Sequence, residues 1–374
     1  MESDNKLFLL DAYALIYRAY YAFIKNPRIN SKGFNTSAIL GFVNTLEEVL
    51  KKENPSHIGV AFDPSGPTFR HEAFEQYKAQ REETPEAIRL SVPIIKDIIH
   101  AYRIPILEVA GYEADDVIGT LATEAGRQGI TTYMMTPDKD YGQLVTDNVF
   151  MYRPKHTGGF EVMGIEEVKA KFDIQSPAQV IDMLGLMGDA SDNIPGCPGV
   201  GEKTAQKLIA EFGNIENLLE HTDQLKGALK TKVETNKELI TFSKFLATIK
   251  IDVPIQLEMD KLIREQADED SLRRIFEELE FRTLIDRVLK KENSAGGVTM
   301  ATGSKTATAK SAPSPLPLFP EEGGAIQGDL FANFTGNEAG EAKKSNLETL
   351  ETLNCDYQLI DTEKKRSEIL QKLL

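Results

Sequence analysis

Cysteine, histidine and tryptophan are scarce in this chain of 374 residues. It contains two cysteines, Cys197 and Cys355, five histidines and no tryptophan. Two isolated cysteines provide no disulfide framework and fit a reducing compartment. The histidines have no zinc-type spacing with either cysteine. We therefore expect any bound metal to be a hard cation held by oxygen atoms.

Long apolar segments are also missing from the sequence. No apolar run approaches the roughly 20 residues needed to span a bilayer, and residues 1–6 are polar, without the pattern of a secretory signal. With 41% hydrophobic and 27% charged residues, the chain is expected to be globular and long enough for two domains. These features predict a cytoplasmic protein that does not associate with membranes.

The formal net charge is −15, which by itself argues against a nucleic-acid partner. That objection weakens if many of the acids line one metal-binding pocket. Basic residues also cluster locally, as at Arg70, Lys78, Arg81 and Lys203. Net charge therefore does not decide the partner.

Short apolar segments alternate with amphipathic helical segments up to about residue 175. The segments that predict strands are Leu7–Leu10, His57–Phe62, Ile104–Val109 and Ile130–Met135. Such alternation predicts an α/β domain over residues 1–175, with a central, mostly parallel sheet flanked by helices.

The remainder of the chain has a different pattern. Residues 176–291 contain short helical segments with no clear strand, which predicts a helical subdomain. Residues 292–352 are rich in Ala, Gly, Ser, Thr and Pro, which predicts a disordered linker. Residues 353–374 have the pattern of a strand and the beginning of a helix, as if a further domain began there.

Acidic residues follow the ends of the predicted strands. They are Asp11, Asp63, Glu113, Asp115, Asp116, Asp138 and Asp140. Ligands of such sheets collect beyond the carboxyl ends of the strands, and carboxylates held together repel one another unless a cation lies among them. The set therefore predicts a site for one or two Mg²⁺ or Mn²⁺ ions, which suits phosphodiester hydrolysis. The alternative for any single acid is a helix cap or turn residue.

Three further groups of residues are candidates for binding. Asp189 and Asp192 lie outside the strand pattern and, taken alone, resemble turn and cap residues. The segment Gly199, Val200 and Gly201 opens a helix and could present backbone N–H groups to a phosphate, with Lys203 and Thr204 adding a charge and a hydroxyl. A glycine-rich turn between packed helices is the alternative for this segment.

Basic and aromatic residues alternate in two N-terminal segments. They are Arg18, Arg70, Lys78 and Arg81, with Tyr17, Tyr20, Phe69 and Tyr77 between them. Such a mixture can hold a single nucleic-acid strand by charge and stacking. The alternative is a solvated charged face over core aromatic residues.

Eight motifs occur in the order and spacing of a known family. They are Phe8–Asp11, Ala61–Asp63, Phe69–Glu72, Tyr77–Ala79, Gly111–Asp116, Thr136–Asp140, Gly188–Gly196 and Gly199–Ala205. Together they closely resemble the N-terminal 5′–3′ exonuclease domains of bacterial DNA polymerases I, which belong to the flap endonuclease family. The resemblance covers residues 6–290.

The resemblance implies a role for each group of residues. Asp11, Asp63, Glu113, Asp115, Asp116 and Asp138 match the tighter of two metal sites, and Asp140, Asp189 and Asp192 match the second. Lys78 and Arg81 match catalytic basic residues at the base of a helical arch, which is expected near residues 65–90. Gly199 to Thr204 match a helix-hairpin-helix element that holds duplex DNA together with a potassium ion. Arg18, Tyr20 and Arg70 are expected to add DNA contacts.

The implied function is metal-dependent hydrolysis of DNA near a 5′ flap, a nick or a 5′ end, in primer removal and repair. The resemblance also implies a monomer of the bacterial nucleoid, with residues 354–374 similar to the start of a 3′–5′ exonuclease-like domain and no polymerase site. A metal-dependent ribonuclease on a related sheet and a non-catalytic DNA-binding module remain alternatives. The motifs do not distinguish flap cleavage from exonucleolytic cleavage.

A short segment in the predicted linker adds one more candidate. Residues 327–331 look like the peptide with which bacterial proteins bind the sliding clamp, with Gln327, Leu330 and Phe331 as its anchors. Apolar anchors in a disordered segment can dock into a partner's groove. The alternative is a chance match in a compositionally biased linker.

Overall fold

One six-stranded sheet organises the first half of the protein. The computed structural model describes residues 5–155 and 158–289. The strands are β1 (Lys6–Asp11), β2 (His57–Ala61), β3 (Ile106–Leu107), β4 (Thr131–Met135), β5 (Val149–Pro154) and β6 (Phe160–Met163). Their spatial order is β3-β2-β1-β4-β5-β6, and β5 pairs with β6 antiparallel while the other pairs are parallel. The predicted, mostly parallel sheet is confirmed.

Helices cover both faces of this sheet. They are α1 (Ala12–Ala22), α2 (Ser37–Lys52), α3 (Phe69–Ala73), α4 (Glu86–Ala101), α5 (Ala114–Arg127) and α6 (Ile165–Phe172). The central strand β1 is buried on both faces, because Leu7 and Leu9 belong to one hydrophobic cluster and Phe8 and Leu10 to another. Successive side chains of a strand point to opposite faces, so a continuous apolar run is what such a strand requires.

Two parts of the sheet differ from the sequence prediction. The extended segment Ile104–Val109 contributes only the two-residue strand β3, which pairs with Val60 and Ala61. Strands β5 and β6 were not predicted. Strand β5 continues the sheet in register with β4, and β6 forms the edge, where Phe160 stacks on Tyr152 at a centroid distance of 4.7 Å.

The segment predicted to form a helical arch, residues 65–90, is helical only in part. It contains α3, a series of turns over residues 75–80 and the first turn of α4, which begins after Pro85. The connection between α3 and α4 is therefore a loop rich in charged residues. This loop matters below because it carries Lys78 and Arg81.

The second half of the described chain is helical, as predicted. Its helices are α7 (Val180–Met187), α8 (Glu202–Phe212), α9 (Ile215–Glu220), α10 (Gly227–Thr235), α11 (Lys237–Ala247), α12 (Met259–Leu262), α13 (Glu269–Glu278) and α14 (Arg282–Leu289). Helix α7 packs against α8 and α11. Within the described ranges, no helix is long and apolar enough to cross a membrane.

The chain crosses itself closely between α7 and α8. Gly188 and Gly196 both have positive φ angles, and a Cβ atom on Gly196 would lie 2.3 Å from the backbone nitrogen of Gly188. Only glycine fits such a crossing. The predicted linker, residues 292–352, the C-terminal segment 353–374 and the clamp-binding peptide lie outside the described residues.

Candidate active site

The carboxyl ends of β1 and β2 place the first two acids. Asp11 ends β1 and caps α1, where its Oδ1 accepts a hydrogen bond from the Ala14 N–H at 3.1 Å. The hydroxyls of Thr136 and Tyr141 lie 3.3 and 3.2 Å from the other oxygen of Asp11. Asp63 follows β2 and accepts a hydrogen bond from the first N–H of α5, at Ala114, at 2.8 Å. The backbone thus holds both carboxylates at one edge of the sheet.

The loop after β4 supplies the next acids. A short 3₁₀ helix, Lys139–Leu144, begins there, and Asp138 caps it by accepting the Asp140 N–H at 3.0 Å. The Lys139 ammonium lies 2.9 Å from Asp189 Oδ2. Asp189, which follows α7, is thereby joined to the acids of the sheet.

Arg70 is the buried partner of two acids at the start of α5. Its guanidinium donates to Glu113 Oε2 at 3.0 Å and to both oxygens of Asp116 at 2.8 Å. Its remaining N–H groups donate to the carbonyls of Leu246 and Thr248. The side chain is 1% exposed, and all five N–H directions are used inside the protein. The prediction that Arg70 binds DNA is therefore wrong.

Asp116 is saturated by hydrogen bonds. Besides the two bonds from Arg70, it accepts the backbone N–H of Glu113 at 3.1 Å and of Lys250 at 2.8 Å. The side chain is completely buried. The structure supports a role in fixing Arg70 and the start of α5, and the predicted role of Asp116 as a metal ligand stays a prediction.

Lys78 and Arg81 lie between Glu113 and Asp192. The Lys78 ammonium is 2.7 Å from Glu113 Oε1 and 3.6 Å from Asp192 Oδ2, and Arg81 forms an ion pair with Asp192. Lys78 has a φ of 56°, a left-handed conformation that is strained for a non-glycine residue, and its N–H donates to the Asp192 carbonyl. Such strain persists where surrounding contacts hold the residue in place.

Tyr77 was predicted to stack on a nucleic-acid strand, but it is buried. Its hydroxyl lies 3.1 Å from Glu113 Oε2 and 3.0 Å from Asp192 Oδ2. Tyr77 therefore orders the acids instead of offering a stacking surface. Sequence reasoning also missed the roles of Thr136, Lys139 and Tyr141, whose one signal was their position within or directly after the Thr136–Asp140 motif.

Two groups of acids now differ in their surroundings. We call Glu113, Asp116, Asp189 and Asp192 the ion-paired acids, because each has a lysine or arginine nitrogen within 3.0 Å. Burial would raise the pKa of Glu113, but Lys78 and Arg70 outweigh it and lower that pKa. Lys78 and Arg81 likewise outweigh burial and lower the pKa of Asp192.

We call Asp11, Asp63, Asp115, Asp138 and Asp140 the high-pKa acids. Desolvation raises the pKa of buried Asp11 to about 7 with help from the charge of Asp63, and it raises the pKa of half-buried Asp63 as well. The pKa of Asp138 is also raised, but this residue is exposed and solvent screens the shift. The pKa of Asp115 is well above its usual value through burial and the neighbouring Asp116. The pKa of Asp140 is also well above its usual value, because of burial and of the nearby charges of Asp138 and Asp189. These carboxylates carry negative charge at a cost.

The high-pKa acids fit a bound divalent metal. Asp115 Oδ1 and Asp140 Oδ1 are buried and have no hydrogen-bond partner among the described residues. One oxygen of Asp115 also lies within 4.8 Å of oxygens of the ion-paired acids Glu113 and Asp116, so these three could share an ion. A buried carboxylate oxygen without a donor is costly, whereas Mg²⁺, Mn²⁺ and related hard cations bind such oxygens directly.

The structure places the other predicted DNA contacts in two regions. On α1, Arg18 donates to the Lys155 carbonyl at 2.9 Å, and half-buried Tyr20 packs edge-on against Tyr21. In the loop before α8, Gly199 has a φ of 76°, Val200 is buried and Gly201 caps the helix. Lys203 is exposed and Thr204 is half-buried in its first turn. DNA binding by both regions stays a prediction.

Comparison with known proteins decides the family. Residues 6–173 match the family model "5′-3′ exonuclease, N-terminal resolvase-like domain", and residues 175–270 match "5′-3′ exonuclease, C-terminal SAM fold". The chain belongs to the 5′–3′ exonuclease family. Its activity class is accordingly that of a nuclease, a phosphodiester hydrolase.

Curated relatives of this exonuclease are DNA polymerases I. It is 42% identical over 291 residues to the DNA polymerase I of Bacillus subtilis (strain 168), covering 77% of this chain and 33% of the relative. It is 40% identical over 287 residues to that of Bacillus caldotenax, covering 76% of this chain and 32% of the relative. The chain thus spans about a third of the length of these relatives.

Solved structures confirm the fold. The T5 5′-exonuclease with bound zinc matches with a TM-score of 0.55 at 22% identity, covering 74% of this chain and 98% of that one. A T5 flap endonuclease in a pseudo-enzyme-product complex with DNA and metal ions matches with a TM-score of 0.54 at 23% identity, covering 74% and 99%. The catalytic core of Rad2 with DNA substrate matches with a TM-score of 0.52 at 18% identity, covering 76% and 93%.

Proposed function

We propose that this exonuclease hydrolyses DNA phosphodiesters near a 5′ flap junction, a nick or a 5′ end with the help of divalent metal ions. The observation that carries the proposal is the juxtaposition of the high-pKa acids, two of them with orphaned oxygens, with the two cations Lys78 and Arg81. The high-pKa acids can bind metal ions, and Lys78 and Arg81 beside them can bind a phosphate. Together they form a site suited to a metal-bound phosphodiester.

Two Mg²⁺ or Mn²⁺ ions are proposed as cofactors. Asp11, Asp63, Asp115 and Asp138 would hold the first with Glu113 beside them, and Asp140, Asp189 and Asp192 would hold the second. When bound, such ions lower the pKa of water and stabilise a leaving oxygen. Asp116 would support the first group by accepting the N–H groups of Glu113, at the start of α5, and of Lys250.

Lys78 and Arg81 are proposed to bind the scissile phosphate. In the present structure they neutralise Glu113 and Asp192, whose own charges would be balanced by the metal ions. A phosphate entering between them can then take over the ammonium and guanidinium donors. Preorganised donors of this kind stabilise the charge that develops in the transition state.

The loop before α8 is proposed to hold the duplex backbone. The free N–H groups at the start of α8 provide a positive dipole end, and exposed Lys203 adds a charge. The Lys232 ammonium lies 3.2 Å from the Gly199 carbonyl, so an oxygen of this hairpin already accepts a cation. A potassium ion at the hairpin belongs to the same proposal.

The biological setting is proposed from the similarity to DNA polymerases I. It is primer removal and DNA repair by a monomer in the bacterial cytoplasm, at the nucleoid. Residues 327–331 are proposed to bind the sliding clamp. Peptide 322–336 should bind the isolated clamp, and alanine at both Leu330 and Phe331 should abolish binding. Equal affinity of the two peptides, or no binding by either, would remove the clamp from the proposal.

Cleavage of a labelled 5′-flap duplex tests the enzymatic function. We expect Mg²⁺-dependent cleavage near the junction, which EDTA and the Asp115→Asn substitution abolish. Single-stranded RNA of the same sequence serves as the second substrate. Cleavage of RNA alone would assign a ribonuclease, and flap binding without cleavage under any divalent metal would assign a non-catalytic DNA-binding module.

A further inference from the structure

Five aromatic rings form a continuous array beside the acid cluster. We call this array, in order of contact, the aromatic ridge: Tyr112, Phe69, Phe245, Phe242 and Phe74. The centroids of successive rings are 5.9, 6.1, 6.1 and 5.6 Å apart. Phe245 is 42% exposed, and the other four are half-buried. The ridge thus presents ring surface to solvent along most of its length.

Helix α11 provides a depression alongside the ridge. Its volume is about 440 Å³, and it is lined by Lys237, Glu238, Thr241, Phe242 and Phe245. The rings of Phe242 and Phe245 are within 20° of parallel. An open depression beside near-parallel rings can receive a flat apolar group against an exposed ring face.

Both ends of the ridge join the candidate active site. Tyr112 directly precedes Glu113, and the Phe69 N–H donates to the Gly111 carbonyl at 3.0 Å. At the other end, the Phe74 carbonyl accepts the N–H of Tyr77, next to Lys78. Each end of the ridge is thus connected, within four residues of chain, to a residue of the candidate active site.

Positive charges accompany the rings. The Lys250 ammonium lies 5.4 Å from the centroid of Phe69 and 3.6 Å from Asp252. Lys237 lines the depression beside Glu238, and its ammonium donates to the Leu219 carbonyl at 2.7 Å. Aromatic faces with neighbouring lysines are the elements that bind single-stranded nucleic acid, because every base has a face that can stack. These features favour an unpaired DNA strand over an apolar protein segment.

We propose that the aromatic ridge binds unpaired bases of the 5′ strand of the DNA substrate. This inference rests on the proposed function, since a flapped or frayed 5′ strand is what brings unpaired bases to the acids. It adds a stacking surface to which α11 contributes two of the five rings and α3 with its C-cap another two, distinct from the metal ligands and from Lys78 and Arg81.

Three substrates and three variants of the full chain test the proposal. The substrates are a duplex with an eight-nucleotide 5′ flap, the same duplex with an abasic flap, and a nicked duplex without a flap. The variants are Phe245→Ala, Phe245→Tyr, which keeps the ring, and Val162→Ala, which removes an exposed apolar side chain from β6. Affinity is measured by fluorescence anisotropy with Ca²⁺, and cleavage with Mg²⁺.

We expect Phe245→Ala to weaken binding of the normal flap about fivefold or more, the effect of losing one base–aromatic stack. Binding of the abasic flap and the nicked duplex should change less than twofold, and Phe245→Tyr and Val162→Ala should match the parent protein. An equal loss on all three substrates, or no loss on any, would overturn the proposal. Self-association without DNA that Phe245→Ala abolishes would assign the ridge to a second copy of the chain.

The cleavage measurement separates this inference from the proposed function. If the parent protein cleaves none of the substrates with Mg²⁺ or Mn²⁺, the nuclease function fails whatever the ridge does. If it cleaves the flap and Phe245→Ala retains both its affinity and its rate, only the ridge proposal fails.

Discussion

Asp115 and Asp116 are neighbours in sequence and opposites in environment. Asp116 receives four hydrogen bonds, two of them from Arg70, whereas Asp115 has a buried oxygen without a partner and lies 4.0 Å from the same guanidinium. As groups, the ion-paired acids each have a lysine or arginine nitrogen within 3.0 Å, whereas the high-pKa acids have raised pKa values and include the two buried oxygens that lack a hydrogen-bond donor.

This difference shows how one cluster of acids can be stably folded and still bind metal ions. A buried charge that is paired and hydrogen-bonded holds its surroundings in place, while its removal leaves the partner uncompensated. A buried charge without a partner costs free energy until a cation binds. The ion-paired acids therefore fix the geometry that the high-pKa acids offer to metal ions.

Loss of the central cation should have the largest effect on stability. We expect Arg70→Leu to lower the free energy of unfolding by about 3–5 kcal/mol, because Asp116 would remain buried without a cationic partner and Glu113 would keep only Lys78. Urea denaturation of the metal-free protein measures this loss. The control Lys261→Met removes an exposed ion pair with Glu258 and should cost about 1 kcal/mol or less. A similar, small change in both variants would contradict the assignment of Arg70 as a structural residue.

Substitution of the two neighbours should separate function from stability. Asp115→Asn should reduce flap cleavage about 100-fold or more, since loss of an outer-shell partner alone costs about 10–100-fold. It should leave the metal-free melting temperature equal or higher, because the buried charge is gone. Asp116→Asn should lower that temperature by breaking the bonds to Arg70. A cleavage time course quenched with EDTA measures the first effect, and calorimetry of the metal-free protein measures the second. Equal destabilisation by the two variants would contradict the different roles assigned to Asp115 and Asp116.

The stabilisation of the folded protein by bound metal ions should depend on pH. The pKa of Asp11 is raised from 3.8 to about 7 in the folded protein, so its contribution to stability is complete below the unfolded pKa and is lost as pH rises through about 7. Glu113 and Asp192, with lowered pKa values, act in the opposite sense and lose their contribution as pH falls through their folded pKa values. A metal relieves the cost of ionising the high-pKa acids.

The increase in melting temperature on adding Mg²⁺ should therefore grow between pH 5 and pH 7.5, and binding at pH 6 should release protons. Scanning fluorimetry and calorimetry in buffers of different ionisation enthalpy measure the two effects. Asp11→Asn should flatten the pH dependence. A constant Mg²⁺ effect across this range would show that Asp11 is already ionised without metal.

Local patterns in the sequence predicted the sheet and the gathering of acids. An apolar run such as Leu7–Leu10 specifies a strand buried on both faces, and parallel strands bring their terminal acids to one edge. The short β3 and the edge strands β5 and β6 were less predictable, because pairing with neighbours decides them more than their own composition does.

The division of the acids could not be predicted in the same way. Arg70 lies 46 residues before Asp116, and its sequence neighbours Phe69 and His71 resemble those of a surface nucleic-acid contact. Which carboxylate a distant guanidinium selects depends on α3 and α11 packing beside α5. Tyr77 was assigned to stacking for the same reason, since its burial follows from tertiary contacts.

The glycine crossing between α7 and α8 bears on the distance between the proposed duplex-binding hairpin and the acid Asp189. Asp189 follows Gly188 directly, and the hairpin that is proposed to hold the duplex follows Gly196 within five residues. The two glycine backbones are in contact, and the Cys197 N–H donates to the Leu186 carbonyl at 2.7 Å, so the segment that leads to the hairpin packs directly against the segment that leads to Asp189. The number of base pairs between the grip on the duplex and the bond that is cut would then be set by the length of a backbone segment, and a longer hairpin would move the cut.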